Sequence, residues 1–527
     1  MKNLFVVLML VFVLGLSGCS DISYPPRGSG IAEAGDGETG LDNRAGFESI
    51  TEKYRLKKFD ITEKSFDWTH EFEPEQGHWV FENGDWSVDV KFNSPQHYCI
   101  GINAVALSGN PVVVLSVGEK VDDESDDDGG ELTELGAFYI TGGDSYFIEP
   151  VYFSEGEKRL TFTVFRGNVR FDKVSVVNTV AVSPERFRTS VSLSHPTPSA
   201  EAVSLFEYLN RQFGSRVLSS QFCTVNTNAE IEAVYAATGR YPVVRFGDLS
   251  LLTVDARYND DEVEVSGGGE RFGEIELGRQ WHNRGGIVAY TWTWDGTHRE
   301  DGFALSEVVG ALENSGVVML SDEFIVSMVE SGEISDSSLR LIRDIDEVAE
   351  AFSSLASDGI PILFNPLPDG GSRLNWWGRA GGEVYVRLWR ILYDRLADYH
   401  GLDNIIWIWS GGSYQYYPGD NRVDIIGESA FADGDVGSQA VKMSYTALYN
   451  SDGHSQNRNQ RLKPAVITGS SGLPSPDVMA RDNACWLIWT LYRGDFVIDA
   501  QGAVLPDAKS MLDSFYNHEL TVCLDNM

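Results

Sequence analysis

Eight short, mostly apolar runs, separated by stretches with helical spacing, fill the chain from Ser199 to its end and constrain it more than any other feature. The runs are Val217–Cys223, Pro242–Phe246, Gly286–Thr291, Pro361–Phe364, Asn404–Trp409, Val423–Ile426, Pro464–Thr468 and Ala484–Trp489. Runs of this kind predict strands buried on both faces, as in a parallel sheet. Between them, Leu339–Leu355 and Glu383–Tyr399 repeat apolar residues at helical intervals. Thr197-Pro198 offers an N-cap and first-turn pair to a helix carrying Ala202, Leu205, Phe206, Leu209 and Phe213. Eight strand–helix repeats in about 330 residues predict a TIM (β/α)8 barrel over residues 199–527.

The preceding region, residues 50–182, has period two instead. Trp86, Val88, Val90 and Phe92 alternate with polar residues after the hairpin signal Asn83-Gly84. Val112–Val117, Ala137–Thr141 and Leu160–Phe165 continue the pattern, and Asp122–Gly130, with six acidic residues in nine, reads as an exposed loop. An all-β sandwich is predicted here, joined to the barrel by a Pro/Ser-rich linker at 183–198. The chain is therefore an α/β protein, a barrel preceded by a sandwich.

The N-terminus addresses compartment. Lys2 precedes an apolar run, Leu4–Leu16, of signal-peptide length. The run ends in Leu16-Ser17-Gly18-Cys19, which resembles a bacterial lipobox. The reading is a signal peptide at 1–18 and lipidation at Cys19. An acidic, flexible tether at 19–49 follows, holding the protein by a lipid anchor on the bacterial cell envelope, at the outer membrane and cell surface. With 41 Lys+Arg against 78 Asp+Glu the formal charge is −37, which excludes nucleic acid as a partner and leaves neutral ligands such as carbohydrate open.

Chemistry in a barrel sits where strands end, and aromatic residues gather there. Trp292 and Trp294 follow the third run, Trp376 and Trp377 the fourth, Trp407 and Trp409 close the fifth, and Trp489 closes the eighth. Tyr414, Tyr416 and Tyr417 lie beyond the fifth. Indoles stack on the flat C–H faces of sugars, so these residues are expected to form a polysaccharide platform.

Five segments then agree in order and spacing with one family. They are Gly239–Asp248, Gly285–Trp294, Pro361-Ile-Leu-Phe-Asn-Pro-Leu-Pro-Asp369 with Asn375-Trp-Trp-Gly378, Asn404–Trp409 with Tyr417–Asp420, and Lys463–Thr468 with Pro474–Asp477. This set resembles family 26 glycoside hydrolases, whose main activity is endo-β-1,4-mannanase. More weakly, Gly167–Val176 resembles the last strands of family 35 and family 6 carbohydrate-binding modules. The resemblance implies β-mannan or a related hemicellulose as partner, with no cofactor and no metal. It also implies retaining chemistry on two glutamates roughly 5–5.5 Å apart.

Those glutamates are not at the matching positions. The acid/base of the family follows a histidine, and here the pair is Pro368 and Asp369. The nucleophile position at the end of the seventh strand is Gly469. Around the sugar the resemblance places Thr293 for a histidine, Leu374 for a tryptophan, Ser429 for an aspartate and Phe431 for a tyrosine, while Trp489 is kept. Beside a scaffold or adhesin in which neither domain meets sugar, for which Trp376, Trp377 and Trp489 are expected to be packed core, two functions follow as expectations. One is a surface lipoprotein that binds β-mannan through a catalytically impaired barrel, with Trp292, Trp294, Trp376, Trp377, Tyr417, Phe431 and Trp489 on the substrate. The other is an active mannanase that uses Asp369 with a relocated carboxylate such as Glu428.

Overall fold

The computed structural model describes residues 70–72, 79–81, 84–93, 95–119, 133–140, 142–148, 151–179, 189, 192–252, 271–294, 304–412, 416–431, 463–482 and 486–527. The expected signal peptide, Cys19, the tether, the acidic run Asp122–Gly130 and Tyr414 lie outside them.

The N-terminal region is antiparallel β. Its strands are β1 (His70–Phe72), β2 (Trp79–Phe81), β3 (Gly84–Phe92), β4 (Gln96–Glu119), β5 (Thr133–Tyr139), β6 (Gly143–Phe147), β7 (Val151–Phe153) and β8 (Gly156–Thr179). Strands β4 and β8, 24 residues each, pair along their length. Their register shifts between Ala106 and Val112, next to Gly109 and Gly167, both at positive φ (66° and 73°). A Cβ on Gly167 would stand 2.9 Å from the Ser108 carbonyl, so the two backbones cross too closely there for any side chain. On one side of this kink the ribbon carries β1, β2, β6 and β7, and on the other β3 and β5. Ile100, Ile102, Phe171 and Val174 from the first half share one buried cluster with Val113, Leu115, Leu160 and Phe162 from the second. The ribbon therefore folds into two facing layers, the expected sandwich. What period-two reading divides into separate strands is a pair of long strands kinked at glycines.

The barrel strands are β9 (Val217–Phe222), β10 (Val244–Asp248), β11 (Ile287–Trp292), β12 (Ile362–Pro366), β13 (Ile405–Trp409), β14 (Ile425–Ala430), β15 (Ala465–Ser470) and β16 (Ile488–Leu491). Each is parallel to the next, and β9 pairs with both β10 and β16, which closes the ring. A short β17 (Thr521–Val522) adds in parallel beside the start of β9. Nearly every strand residue is buried, which is why the strands read as apolar runs and not as alternation.

Outside the ring, the helix Ala200–Gln212 starts at Ser199, whose Oγ accepts the Ala202 N–H at 3.2 Å. The predicted helix Glu383–Tyr399 is α-helical over Gly382–Tyr393 and then widens to a π-helix over Asp394–Tyr399. Buried Arg395 sits in the widened turn and donates to Asp346 and to the Val318 and Leu320 carbonyls at 2.7–2.8 Å. The chain entering the barrel is tied down as well: Leu193 joins the barrel core, and buried Asp424 accepts N–H bonds from Ser194 (2.5 Å) and Trp407 (2.8 Å). Asp424 thus serves the join, and β14 begins after it and runs on to Ala430, past the end expected from its apolar residues. That extension carries Ser429 into the barrel mouth.

Candidate active site

Asp369 lies in the loop that leaves β12. Three non-glycine residues in this loop adopt left-handed backbone, Leu367 (φ 51°), Asp369 (φ 52°) and Arg373 (φ 57°). A bulky Leu in that region is strained, and such strain concentrates at functional sites. Hydrogen bonds hold it in place: the Asp369 N–H donates to the Ser410 carbonyl at 2.9 Å, and the buried Tyr385 hydroxyl donates to the Leu367 carbonyl at 2.8 Å. The Asp369 carboxylate is thereby aimed across the mouth, where Ser429 Oγ donates to it at 2.9 Å.

Burial raises the Asp369 carboxyl above the ordinary carboxylate range, against the Ser429 hydrogen bond, which lowers it. Glu428 stands on β14 next to Ser429, and its Oε1 accepts the Ser429 N–H at 3.3 Å.

Gly469 pairs with Ser429 across β14 and β15, at a register shift that marks a bulge in the seventh strand. It therefore borders the same cup as Asp369. A Cβ placed on it would meet Phe431 Cζ at 3.3 Å and Tyr492 Cδ2 at 3.4 Å. Aromatic rings fill the direction in which a nucleophile would project.

The rest of the mouth is a polar brace. Asp248, at the end of β10, accepts the Thr293 N–H (3.0 Å) and hydroxyl (2.8 Å) and pairs with Arg493 at 3.2 Å. Thr293, at the expected histidine position, is thus a partner of Asp248. Arg493 in turn lies 4.9 Å from the Phe222 ring centroid. Tyr492, half-buried between these groups, stacks on Phe222 with centroids 4.9 Å apart. Its phenol is raised by burial and kept protonated, with Arg493 acting against Asp248 and Asp369.

The expected tryptophan platform is corrected. Trp292, Trp294, Trp376, Trp377, Trp407, Trp409 and Trp489 are between 0 and 5 % exposed and cannot offer a face to sugar. Trp292 and Trp294 stack on each other at 4.1 Å. The indole N–H groups of several are satisfied inside: Trp294 by Asp344 (2.8 Å), Trp376 by the Trp294 carbonyl (2.7 Å), Trp377 by the Pro368 carbonyl (2.9 Å) and Trp489 by Ser470 Oγ (2.9 Å). Tyr417 packs against Trp409 and donates to Asp420 at 2.7 Å. Of the residues expected on substrate, Phe431 is open, at 39 % exposure. Leu374, in place of the expected tryptophan, is also exposed.

Sequence reasoning assigned no role to Asp248, Tyr492, Arg493 or Phe496. The signal available was positional: Tyr492, Arg493 and Phe496 directly follow the eighth strand, as Asp248 ends the second.

A closed parallel (β/α)8 barrel with carboxyl groups, hydroxyls and aromatic rings converging at its strand ends has the architecture of a barrel glycosidase. The chain belongs to glycosyl hydrolase family 26, whose model matches residues 194–525. A mannan endo-1,4-β-mannosidase from Thermothelomyces thermophilus is 26% identical over 450 residues, covering 84% of this chain and 82% of its own length. Mannan endo-1,4-β-mannosidase A from a Piromyces species is 24% identical over 85% of this chain and 68% of its own. Among solved structures, a GH26-CBM35 β-(1,4)-mannanase from Podospora anserina superposes with TM-score 0.54 at 21% identity, over 87% of this chain and 98% of that one. A ruminal GH26 endo-β-1,4-mannanase gives TM-score 0.57 at 19% identity, over 86% and 92%. These two show a shared fold.

Proposed function

We propose that this chain recognises β-mannan or a related hemicellulose in the barrel mouth and holds it without cleaving it by the double displacement of its family. The observation that carries this reading is Gly469. The seventh strand offers no carboxylate where the family keeps its nucleophile, and Phe431 and Tyr492 occupy the space in front. A glycosyl-enzyme needs an atom there to bond to the sugar carbon. Asp369 alone, protonated more readily than an ordinary carboxylic acid and bonded to Ser429, can donate a hydrogen bond to a glycosidic or hydroxyl oxygen but cannot complete the exchange. The relatives named as mannan endo-1,4-β-mannosidases support mannan as the glycan.

The test pairs two measurements on the full chain. Electrophoresis through gels containing galactomannan or glucomannan is expected to retard the protein. Reducing-sugar release from the same glycans is expected at least roughly 10⁴-fold below that of an active family member. Release at an ordinary mannanase rate that vanishes in Asp369→Ala would establish the active-hydrolase reading instead.

The sandwich and the N-terminus extend the reading. The sandwich is taken as an added carbohydrate-binding surface, on its resemblance to binding modules. Leu16–Cys19 supports attachment to a bacterial envelope by lipid. Incorporation of labelled palmitate, lost in Cys19→Ala, checks the anchor.

A further inference from the structure

We propose that Phe431, Tyr492 and Phe496 form a stacking site for one pyranose ring of a neutral β-linked glycan, over the strand position where the family keeps its nucleophile. The inference rests on the reading that the mouth takes hemicellulose, and it names the side chains that hold the sugar.

The three rings meet one another. Centroids are 5.1 Å apart for Phe431 and Tyr492, 5.9 Å for Phe431 and Phe496, and 5.8 Å for Tyr492 and Phe496. Phe431 is 39 % exposed and Phe496 37 %, unlike the seven tryptophans of the mouth. The rings come from the ends of β14 and β16, two strands apart, and close over the gap that Gly469 leaves on the strand between them. A Cβ at 469 would already touch Phe431 and Tyr492 at 3.3 and 3.4 Å, so these two rings lie directly against the glycine.

The patch is backed rigidly. Tyr492 stacks on Phe222 at 17° between planes, and Arg493 lies over those same two rings while bound to Asp248. A prearranged wall loses little conformational freedom on binding. Hydrogen-bonding groups border it: Ser429, two residues before Phe431, donates its hydroxyl to the Asp369 carboxyl, and the Tyr492 phenol is within electrostatic reach of both Asp248 and Asp369. An apolar face with a few convergent polar groups at its rim suits a pyranose, whose C–H face is flat and whose hydroxyls point outward. The cation beside the patch is already neutralised by Asp248, and the chain carries a formal charge of −37, so an anionic glycan finds no counter-charge.

The experiment uses the full chain and mannohexaose. Calorimetry is expected to show binding that weakens about tenfold or more in Phe431→Ala/Phe496→Ala and stays within about threefold in Phe431→Tyr/Phe496→Tyr. Hydrogen–deuterium exchange is expected to slow over residues 425–431 and 488–497 when the sugar is added. If the wild type binds mannohexaose while the alanine pair keeps its affinity, or while exchange there is unchanged, the stacking site is wrong and the glycan-binding reading stands. If the wild type binds no mannan-derived sugar, that reading falls and takes the site with it. Should the alanine pair fail to fold, exchange in the wild type decides alone. Self-association through the patch, seen by sedimentation and insensitive to mannohexaose, overturns the proposal as well.

Discussion

Two sides of one barrel mouth differ in how they use aromatic rings. After β11, β12 and β13 the rings are tryptophans, stacked on each other and sealed. After β14 and β16 they are Phe431, Tyr492 and Phe496, partly open over Gly469. An indole buries more area than a phenyl ring and brings one N–H that must find an acceptor in the interior. The first side supplies an acceptor to Trp294 in Asp344, to Trp376 in the Trp294 carbonyl and to Trp377 in the Pro368 carbonyl, while the Trp292 and Trp407 N–H groups are buried with no acceptor among the described residues. The second consists mainly of phenyl rings, which lose no hydrogen bond when dry and demand none when wet. The difference separates sealed scaffold from open surface.

The largest expected effect lies on the sealed side. Trp294→Ala removes a fully buried indole and its hydrogen bond to Asp344, so it should cost about 3–5 kcal/mol in denaturant unfolding. A loss under 1 kcal/mol would erase the distinction between the two sides. Next comes Gly469→Glu. The added side chain must push Phe431 and Tyr492 aside, and a cost of about 1–3 kcal/mol is expected with no mannanase turnover, because Asp369 and Pro368 remain. Turnover on galactomannan from this single change would show that only the nucleophile was missing.

Asp369→Asn tests the cup through pH. The native carboxyl binds its proton more tightly than the unfolded chain, whose value is near 3.8. Between those two values the native state holds more protons, so stability falls as pH rises through a window that opens near 3.8. The Asn variant lacks this fall. It should match the wild type at pH 3 and be the more stable of the two at pH 7, read as the difference in denaturant midpoints. Equal midpoints at both pH values would mean that Asp369 is as solvated as in the unfolded chain. The smallest effect is expected on the open side, where Phe431→Ala should change stability by about 1 kcal/mol or less.

Much of the fold was legible in the sequence. All eight barrel runs overlap observed strands, because strands buried on both faces must be apolar whatever surrounds them. The sandwich was legible by its alternation, though Gly109 and Gly167 did not announce that two long strands kink together there. The site was read less well. Asp369 lies in the loop after β12, Gly469 lies in β15, and Phe431 is 39 % exposed. The tryptophans were misjudged, since an aromatic at a strand end looks the same whether it faces water or a neighbouring indole. Asp248 and Arg493 were missed because they are 245 residues apart in the chain and meet only when β9 closes the ring between β10 and β16.

By itself the sequence determined the alternation that makes a barrel and the absence of a side chain at position 469, since both are properties of residue type and local order. Only the tertiary structure decided which rings are sealed, that burial raises the Asp369 carboxyl above its ordinary range, and what lies beside Gly469. Exposure and electrostatic surroundings depend on groups that arrive from distant strands, and no local pattern encodes them.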